Sequence, residues 1–220
     1  MSAAQNRAHF TPRLMDLGLS GDRPLVIVDV DEVLGQFVRS FERYLAIHGV
    51  EFRVERYALF QNMFRKGEAK PIPEAEGRPL YDDFFRTCCE SIEPTPGAFE
   101  ALERLAQRAE IIVLSNAPGE VEAARRAWLT RHGVQHPLII NRGLKGPITA
   151  GLTAQTPHRS AFIDDTLPHL DSVAEQAPAT ARFQHIADVR LRPLAPTSDR
   201  HRRIDDWDEL AAAIEESLLA

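Results

Sequence analysis

The chain has 220 residues, 44% of them hydrophobic and 26% charged, which is enough for one α/β domain with an insertion. Its formal net charge of -6 argues against a primary role on nucleic acid or on an anionic membrane, although a locally positive site can still bind a small phosphorylated substrate. The two cysteines, Cys88 and Cys89, are adjacent and cannot readily bridge each other, so we expect a reducing, cytoplasmic setting.

Residues 1–23 are predicted to form an N-terminal leader that is poorly ordered or loosely packed. They contain no signal-peptide pattern, and no stretch of the chain is apolar for long enough to span a bilayer. Within the leader, one amphipathic turn is expected to face the domain through Phe10, Leu14, Met15 and Leu17.

The stretch from Leu25 to Gly35 begins as an apolar, β-branched run and then stops at two carboxylates, Asp29 and Asp31. This pattern predicts a buried parallel strand that delivers acids to the edge of a sheet, although a strand followed by an acidic turn would look the same. Side chains alternate along a strand, so Asp29 and Asp31 start on one face. Two carboxylates held that close repel each other unless a cation lies between them or one is protonated, which indicates chemistry rather than packing.

Residues 37–93 are predicted to form a small, mainly helical insert. Residues 36–48 and 81–91 have helical spacing, residues 50–54 alternate as a short strand, residues 55–64 look helical, and residues 66–79 form a loop rich in Gly, Pro and Glu. Seven phenylalanines supply material for a small core, or alternatively for stacking on a substrate ring: Phe37, Phe41, Phe52, Phe60, Phe64, Phe84 and Phe85.

An α/β rhythm resumes at residue 94, where Thr95 is a candidate N-cap with Pro96 at the first helical position. Buried strands are predicted at residues 111–114, 138–140, 161–163 and 182–186, with helices between them and a closing amphipathic helix near residues 207–218. The predicted fold is therefore a Rossmann-like, three-layer parallel sheet over residues 24–36 and 94–220. A helical cap, residues 37–93, is inserted after the first strand.

Three of these strands end on polar side chains: Asp29 and Asp31, then Ser115 and Asn116, then Asp164 and Asp165. Because the carboxyl ends of parallel strands meet at one edge of the sheet, these side chains are expected to converge. Carboxylates from two strand ends make the oxygen-rich site that Mg²⁺ prefers, while a hydroxyl and an amine donate to a phosphoryl group. The pattern indicates phosphoryl transfer.

The sequence resembles the haloacid dehalogenase-like (HAD) hydrolase superfamily in four short motifs in the expected order: Asp29-Val30-Asp31, Ser115, Lys145 and Asp164-Asp165. The resemblance implies that Asp29 is the nucleophile that forms an aspartyl-phosphate and that Asp31 is the general acid and then the base. It implies Mg²⁺ held by Asp29, the backbone carbonyl of Asp31 and Asp165, with Asp164 acting through water or a hydrogen bond. Ser115, Lys145 and Asn116 would hold the phosphoryl oxygens.

Two positions depart from the family pattern: Glu32 adds a carboxylate beside the site, and His169 stands four residues after Asp165, where a further acid is common. The expected function is a Mg²⁺-dependent phosphatase that acts on a small phosphorylated metabolite. The alternatives are a phosphomutase on the same fold and a metal-binding regulatory module without turnover.

Overall fold

A computed structural model of the chain describes residues 11–219. In chain order its strands are β1 (Leu25–Val28), β2 (Val50–Phe52), β3 (Met63–Arg65), β4 (Glu110–Ser115), β5 (Leu138–Ile140), β6 (Ser160–Asp164), β7 (Ala181–Gln184) and β8 (Arg202–Arg203). The α-helices are α1 (Phe37–Ile47), α2 (Glu74–Cys88), α3 (Ala98–Ala106), α4 (Glu122–Arg131), α5 (Gly146–Thr153), α6 (Leu167–Gln176) and α7 (Trp207–Leu219).

Six strands form one parallel sheet in the order β5-β4-β1-β6-β7-β8. Strand β1 lies in the middle and is buried on both faces: Val26 and Val28 belong to one hydrophobic cluster, and Leu25 and Ile27 belong to another. Helices α3, α4 and α7 cover the first face, and α5 and α6 cover the second. This confirms the predicted three-layer α/β fold, and it explains why β1 is apolar throughout instead of alternating.

The segment between β1 and α3 contains α1, the antiparallel pair β2-β3 and α2. Its aromatic side chains pack closely, for example Phe41 against Phe84 with ring centroids 5.2 Å apart. They do not form a separate core, because they are part of the same cluster as Val26 and Val28 in the sheet. The insert is therefore joined to one face of the sheet by continuous apolar packing.

Two sequence predictions for the insert are wrong. Residues 55–64 do not form an α-helix, because Asn62 is buried and its side-chain Nδ2 donates to the carbonyl oxygens of Arg56 and Ala58, which holds that segment as a turn. The predicted loop over residues 66–79 ends early, because α2 begins at Glu74 and includes Pro79. Pro79 cannot donate a backbone hydrogen bond within the helix, and burial of Phe84 and Phe85 on the same helix offsets the resulting loss of stability.

The predicted N-cap of α3 is also wrong. Gly97, with φ 76°, holds the N-cap position, and Pro96 lies before the helix. Thr95 contributes its backbone carbonyl, which accepts a hydrogen bond from the N–H of Ala98. A left-handed N-cap conformation is open to glycine at little cost, which is why the helix begins two residues later than the Thr-Pro pair suggested.

Residues 11–23 pack on the core. Leu14 is buried in the cluster under β1, Met15 is exposed, and the N–H groups of Ser20 and Gly21 donate to the carboxylate of Glu110. Of the other two members of the predicted amphipathic turn, Leu17 is partly buried against the same cluster, and Phe10 lies outside the described residues. None of the helices between residues 11 and 219 combines the length and apolar character needed to cross a lipid bilayer.

The close approach of α5 to α6 gives a stability prediction. A Cβ on Gly146 would lie 2.2 Å from the backbone oxygen of Ser172, so Gly146→Ala should separate the two helices and lower the free energy of unfolding by about 2–3 kcal/mol. Urea denaturation measures the change. The matched control is Gly67→Ala, which has open space around it and a φ of 82°, and should cost about 1 kcal/mol through backbone strain alone. Equal losses in the two variants would contradict the tight contact.

Candidate active site

The polar residues predicted from the strand ends lie together at the carboxyl edge of the sheet. The register aligns Val28 of β1 with Val113 of β4 and Ile163 of β6. Asp29, Ser115 and Asp164 each follow this aligned row by one or two residues, so they lie at the same edge of the sheet. Asp29 is fixed there because its N–H donates to the carbonyl of Ile163.

Lys145, the residue before α5, links two of these strand ends. Its Nζ lies 2.6 Å from Asp29 Oδ1 and 2.7 Å from Asp164 Oδ2, and the side chain is buried. Burial alone would lower the pKa of Lys145, but the two carboxylates raise it above its ordinary value. The ammonium is therefore a permanent charge between Asp29 and Asp164.

The two adjacent acids after β6 differ in their surroundings. Asp164 accepts from Lys145 at Oδ2 and from the N–H and hydroxyl of Thr166 at Oδ1, and despite burial these contacts hold its pKa below the usual value. Asp165 accepts at Oδ2 from the hydroxyl of Tyr57 at 2.7 Å. Burial, followed by repulsion from Asp164 and Asp29, holds the pKa of Asp165 well above its usual value.

Asp29, Asp164 and Asp165 each place a carboxylate oxygen within 4.8 Å of the others. Burial, together with the neighbouring acids, raises the pKa of Asp29 to about 7 even though Lys145 opposes the shift. After burial, repulsion between the acids is the next contribution that raises the pKa values of Asp29 and Asp165, and a divalent cation among these oxygens would offset that repulsion. The donor set is all oxygen and partly buried, which fits a hard ion such as Mg²⁺.

Asp31 is held by a buried arginine that the sequence reading did not identify. Arg125 Nη2 on α4 donates to both carboxylate oxygens of Asp31, at 2.9 and 2.8 Å. The guanidinium also lies over the ring of Phe85, with 5.3 Å from Cζ to the ring centroid. Nothing in the sequence distinguishes Arg125 from Arg126, because only the packing of α4 decides which side chain points inward.

Glu32 tightens the loop that follows β1, and both of its carboxylate oxygens are engaged by backbone N–H groups. Its φ of 60° is left-handed, and its carboxylate accepts from the N–H of Val38 at 2.7 Å and of Asp188 at 3.0 Å. Burial raises the pKa of Glu32 to about 7, although the two N–H groups oppose the shift. The extra carboxylate seen in the sequence therefore ties the start of α1 and the segment after β7 to the site.

The remaining predicted phosphate ligands differ in their availability. The hydroxyl of Ser115 is buried and has no hydrogen-bond partner among residues 11–219. The side-chain amide of Asn116 instead donates to the carbonyl of Gly143 at 2.8 Å and lies 3.2 Å from Nε2 of His169. Burial lowers the pKa of His169, so the ring is neutral and can accept. Asn116 thus holds the loop before Lys145, and its amide is already engaged.

A cavity of about 340 Å³ separates this edge of the sheet from the insert. Its floor contains Asp29, Asp31, Lys145 and Asp165, and its roof is largely apolar: Phe37, Leu59, Tyr81 and Phe85. Tyr57 joins the two, because it lines the cavity and binds Asp165. A molecule entering this space therefore meets the carboxylate of Asp29, the fixed ammonium of Lys145 and a cluster of acids able to hold a cation.

Three solved structures align with most of the chain. The HAD-hydrolase YfnB from Bacillus subtilis, solved with magnesium bound, is 13% identical over 88% of this chain and 99% of its own, with a TM-score of 0.59. CbbY from Rhodobacter sphaeroides, solved in complex with phosphate, is 18% identical over 88% and 99%, with a TM-score of 0.51. A protein from Thermotoga maritima described as a beta-phosphoglucomutase is 16% identical over 88% and 99%, with a TM-score of 0.53.

The chain matches no family model and no curated protein. At these identities the structural likeness shows the fold, which is that of the HAD-like hydrolases and phosphoglucomutases. The HAD-like fold predicted from the four motifs is confirmed.

The buried ion pair gives a prediction about stability. Asp31→Asn leaves the guanidinium of Arg125 buried without a counter-charge, so the free energy of unfolding should fall by about 2–3 kcal/mol, as urea denaturation would measure. The double variant Asp31→Asn with Arg125→Met should recover most of that loss.

Asp165→Asn is the contrasting control for this measurement. Its carboxylate is repelled by Asp164 and Asp29, so neutralising it should raise the stability of the metal-free protein at pH 8. If both single variants moved in the same direction, the assigned charge balance would be incorrect.

Proposed function

We propose that this chain is a Mg²⁺-dependent phosphatase that hydrolyses a small phosphomonoester through an aspartyl-phosphate on Asp29. The observation that carries the proposal is the convergence of Asp29, Lys145, Asp164 and Asp165 at a cavity between the sheet and the insert, on a HAD-like fold. The magnesium in the Bacillus subtilis structure and the phosphate in the Rhodobacter sphaeroides structure support the same chemistry.

Asp29, Asp165 and the backbone carbonyl of Asp31 are the groups we propose to hold Mg²⁺. When bound, the ion neutralises charge between the phosphate and the attacking carboxylate and orients the phosphoryl oxygens. Asp164 acts differently, because both of its oxygens are already engaged by Lys145 and Thr166. Its role is to fix Lys145.

In the first half of the reaction Asp29 attacks phosphorus and the bond from phosphorus to the leaving oxygen breaks. Lys145 holds Oδ1 of Asp29, which leaves Oδ2 for the attack. We propose that the ammonium of Lys145, which lines the cavity, stabilises charge on the phosphoryl oxygens. The second proposed donor is the hydroxyl of Ser115, which is buried next to the cavity lining and has no hydrogen-bond partner among residues 11–219.

Asp31 gives its proton to the leaving oxygen and later takes a proton from the water that attacks the aspartyl-phosphate, releasing phosphate and restoring Asp29. Arg125 donates to both oxygens of Asp31, and a proton on either oxygen would weaken one of these charge-assisted hydrogen bonds. Asp31 is partly exposed and lines the cavity, so its carboxyl group can meet the leaving oxygen there.

Hydrolysis is favoured over the phosphomutase alternative by the charges that line the cavity. A mutase that passes through a bisphosphorylated species needs cationic groups for a second phosphate. Among the described residues of the cavity wall, Lys145 is the single lysine or arginine, and it already serves Asp29 and Asp164. The regulatory-module alternative leaves unexplained why both Asp29 and Asp31 face the cavity.

The nucleophile gives the most direct prediction. Asp29→Asn should lower phosphate release from a generic aryl phosphate with Mg²⁺ at least about a thousandfold, because an amide is a poor nucleophile toward phosphorus. The exposed Asp22→Asn is the matched control and should retain wild-type turnover. Intact-mass spectrometry after rapid quench should show a phosphorylated chain that accumulates in Asp31→Asn and is absent in Asp29→Asn. Wild-type turnover by Asp29→Asn would eliminate the mechanism.

The raised pKa values predict how Mg²⁺ binding depends on pH. The pKa of Asp29 is about 7 and that of Asp165 is also raised, so the folded, metal-free protein holds protons that the unfolded chain has released between about pH 4 and pH 7. Stability of the metal-free protein should therefore fall as pH rises through this window. Mg²⁺ must displace these protons, so its affinity should be about tenfold or more higher at pH 8 than at pH 6.

Isothermal titration with Mg²⁺ alone at the two pH values tests this dependence. Asp165→Asn should lose most of the binding, and the exposed Asp82→Asn should keep it. Binding that is equally strong at pH 6 and pH 8 would contradict the assignment of these carboxylates as ligands.

A further inference from the structure

We infer that the substrate carries a single phosphate on an uncharged, apolar or aromatic leaving group. This inference rests on the proposed function and narrows it to a substrate class. The 340 Å³ cavity has two opposite surfaces. The polar floor would bind the phosphate, so the roof would contact the rest of the substrate.

The roof offers aromatic and aliphatic surface from three parts of the insert. Phe37 comes from α1, Leu59 from the turn after β2, and Tyr81 and Phe85 from α2. The rings of Tyr81 and Phe85 meet edge to face with 4.8 Å between centroids, and those of Phe37 and Phe85 stack at 5.5 Å. These contacts fix the rings in place, so they form a preformed apolar wall for a leaving group.

The charges around the cavity exclude a second anionic group. Four acids line it, Asp29, Asp31, Glu32 and Asp165, while its one described lysine or arginine is Lys145 on the floor. Arg125 is buried behind this wall and bound to Asp31, and Arg78 lies outside it, over the rings of Phe60 and Tyr81. A carboxylate or second phosphate on the leaving group would meet apolar rings, with no lysine or arginine of the described roof to pair with.

The roof is also poor in groups that recognise sugar hydroxyls. The hydroxyl of Tyr57 is bound to Asp165, and the amide of Asn116 is bound to Gly143 and His169. Among the four described roof residues, the hydroxyl of Tyr81 is the one polar side-chain group. A sugar with several hydroxyls would lose more hydrogen bonds to water than this single group replaces. The arrangement therefore favours an aryl or alkyl leaving group over a polyol.

The test compares four esters with the wild-type enzyme and Mg²⁺: phenyl phosphate, 4-carboxyphenyl phosphate, hexyl phosphate and glucose 6-phosphate. We expect kcat/KM for phenyl phosphate to exceed that for 4-carboxyphenyl phosphate at least tenfold. The carboxylate makes the phenol a slightly better leaving group, so intrinsic reactivity works against this order. Glucose 6-phosphate should fall at least tenfold below hexyl phosphate, which also releases a primary alcohol and therefore has a similar intrinsic reactivity.

A charge added to the roof provides the matched variant. Leu59→Lys places a cation on the apolar wall and should raise the ratio of kcat/KM for 4-carboxyphenyl phosphate to that for phenyl phosphate at least fivefold. Leu59→Met has similar reach without charge and should leave the ratio near the wild-type value.

The outcomes separate the inference from the proposed function beneath it. The substrate class is overturned if 4-carboxyphenyl phosphate is hydrolysed as fast as phenyl phosphate, or glucose 6-phosphate as fast as hexyl phosphate, in a reaction that depends on Asp29; the proposed function is then retained. Phosphate release that does not exceed the Asp29→Asn background with any of the four esters overturns both the proposed function and the substrate class.

Discussion

The buried ammonium of Lys145 between Asp29 and Asp164 is the contact on which the rest of the site depends. It joins the end of β1 to the end of β6 through a residue that α5 positions, so three elements must be in place at once. The close packing of Gly146 on Ser172 of α6 sets where Lys145 lies. This single charge allows Asp29 and Asp164 to lie close together. Among the described residues Asp165 has no such partner and is repelled by both, and a bound metal would reduce that repulsion.

The insert is tied to the chemistry by polar contacts as well as by apolar packing. Tyr57 donates to Asp165, Glu32 accepts from the N–H of Val38 in α1, and Arg190 after β7 pairs with Glu42 on α1 at 2.7 Å. The first two contacts join the insert to the loops that carry Asp165 and Asp31, and the third joins it to the segment after β7. The position of the roof and the arrangement of the acids are therefore linked, which suits the phosphoryl transfer that we propose for this site.

Asp29 and Asp31 meet different partners although they are only two residues apart. Lys145 is an ammonium locked between two acids, whereas Arg125 is bound to Asp31 alone and Asp31 is partly exposed to the cavity. The two carboxylates therefore differ in how they are held, which suits the separate roles of nucleophile and acid that we propose for them.

The sequence alone determined the sheet, the order of its acids and their convergence, because apolar strands that end on Asp29, Ser115 and Asp164 meet at one edge once they pair in parallel. It could not determine the secondary structure of residues 55–79, where the buried amide of Asn62 and the packing of α2 override local propensity. Tertiary structure alone decided that Arg125 binds Asp31, that Tyr57 binds Asp165 and that Glu32 braces α1. The partners in the first two pairs are 94 and 108 residues apart in the sequence. Only tertiary packing brings them into contact, so no local sequence pattern predicts these hydrogen bonds.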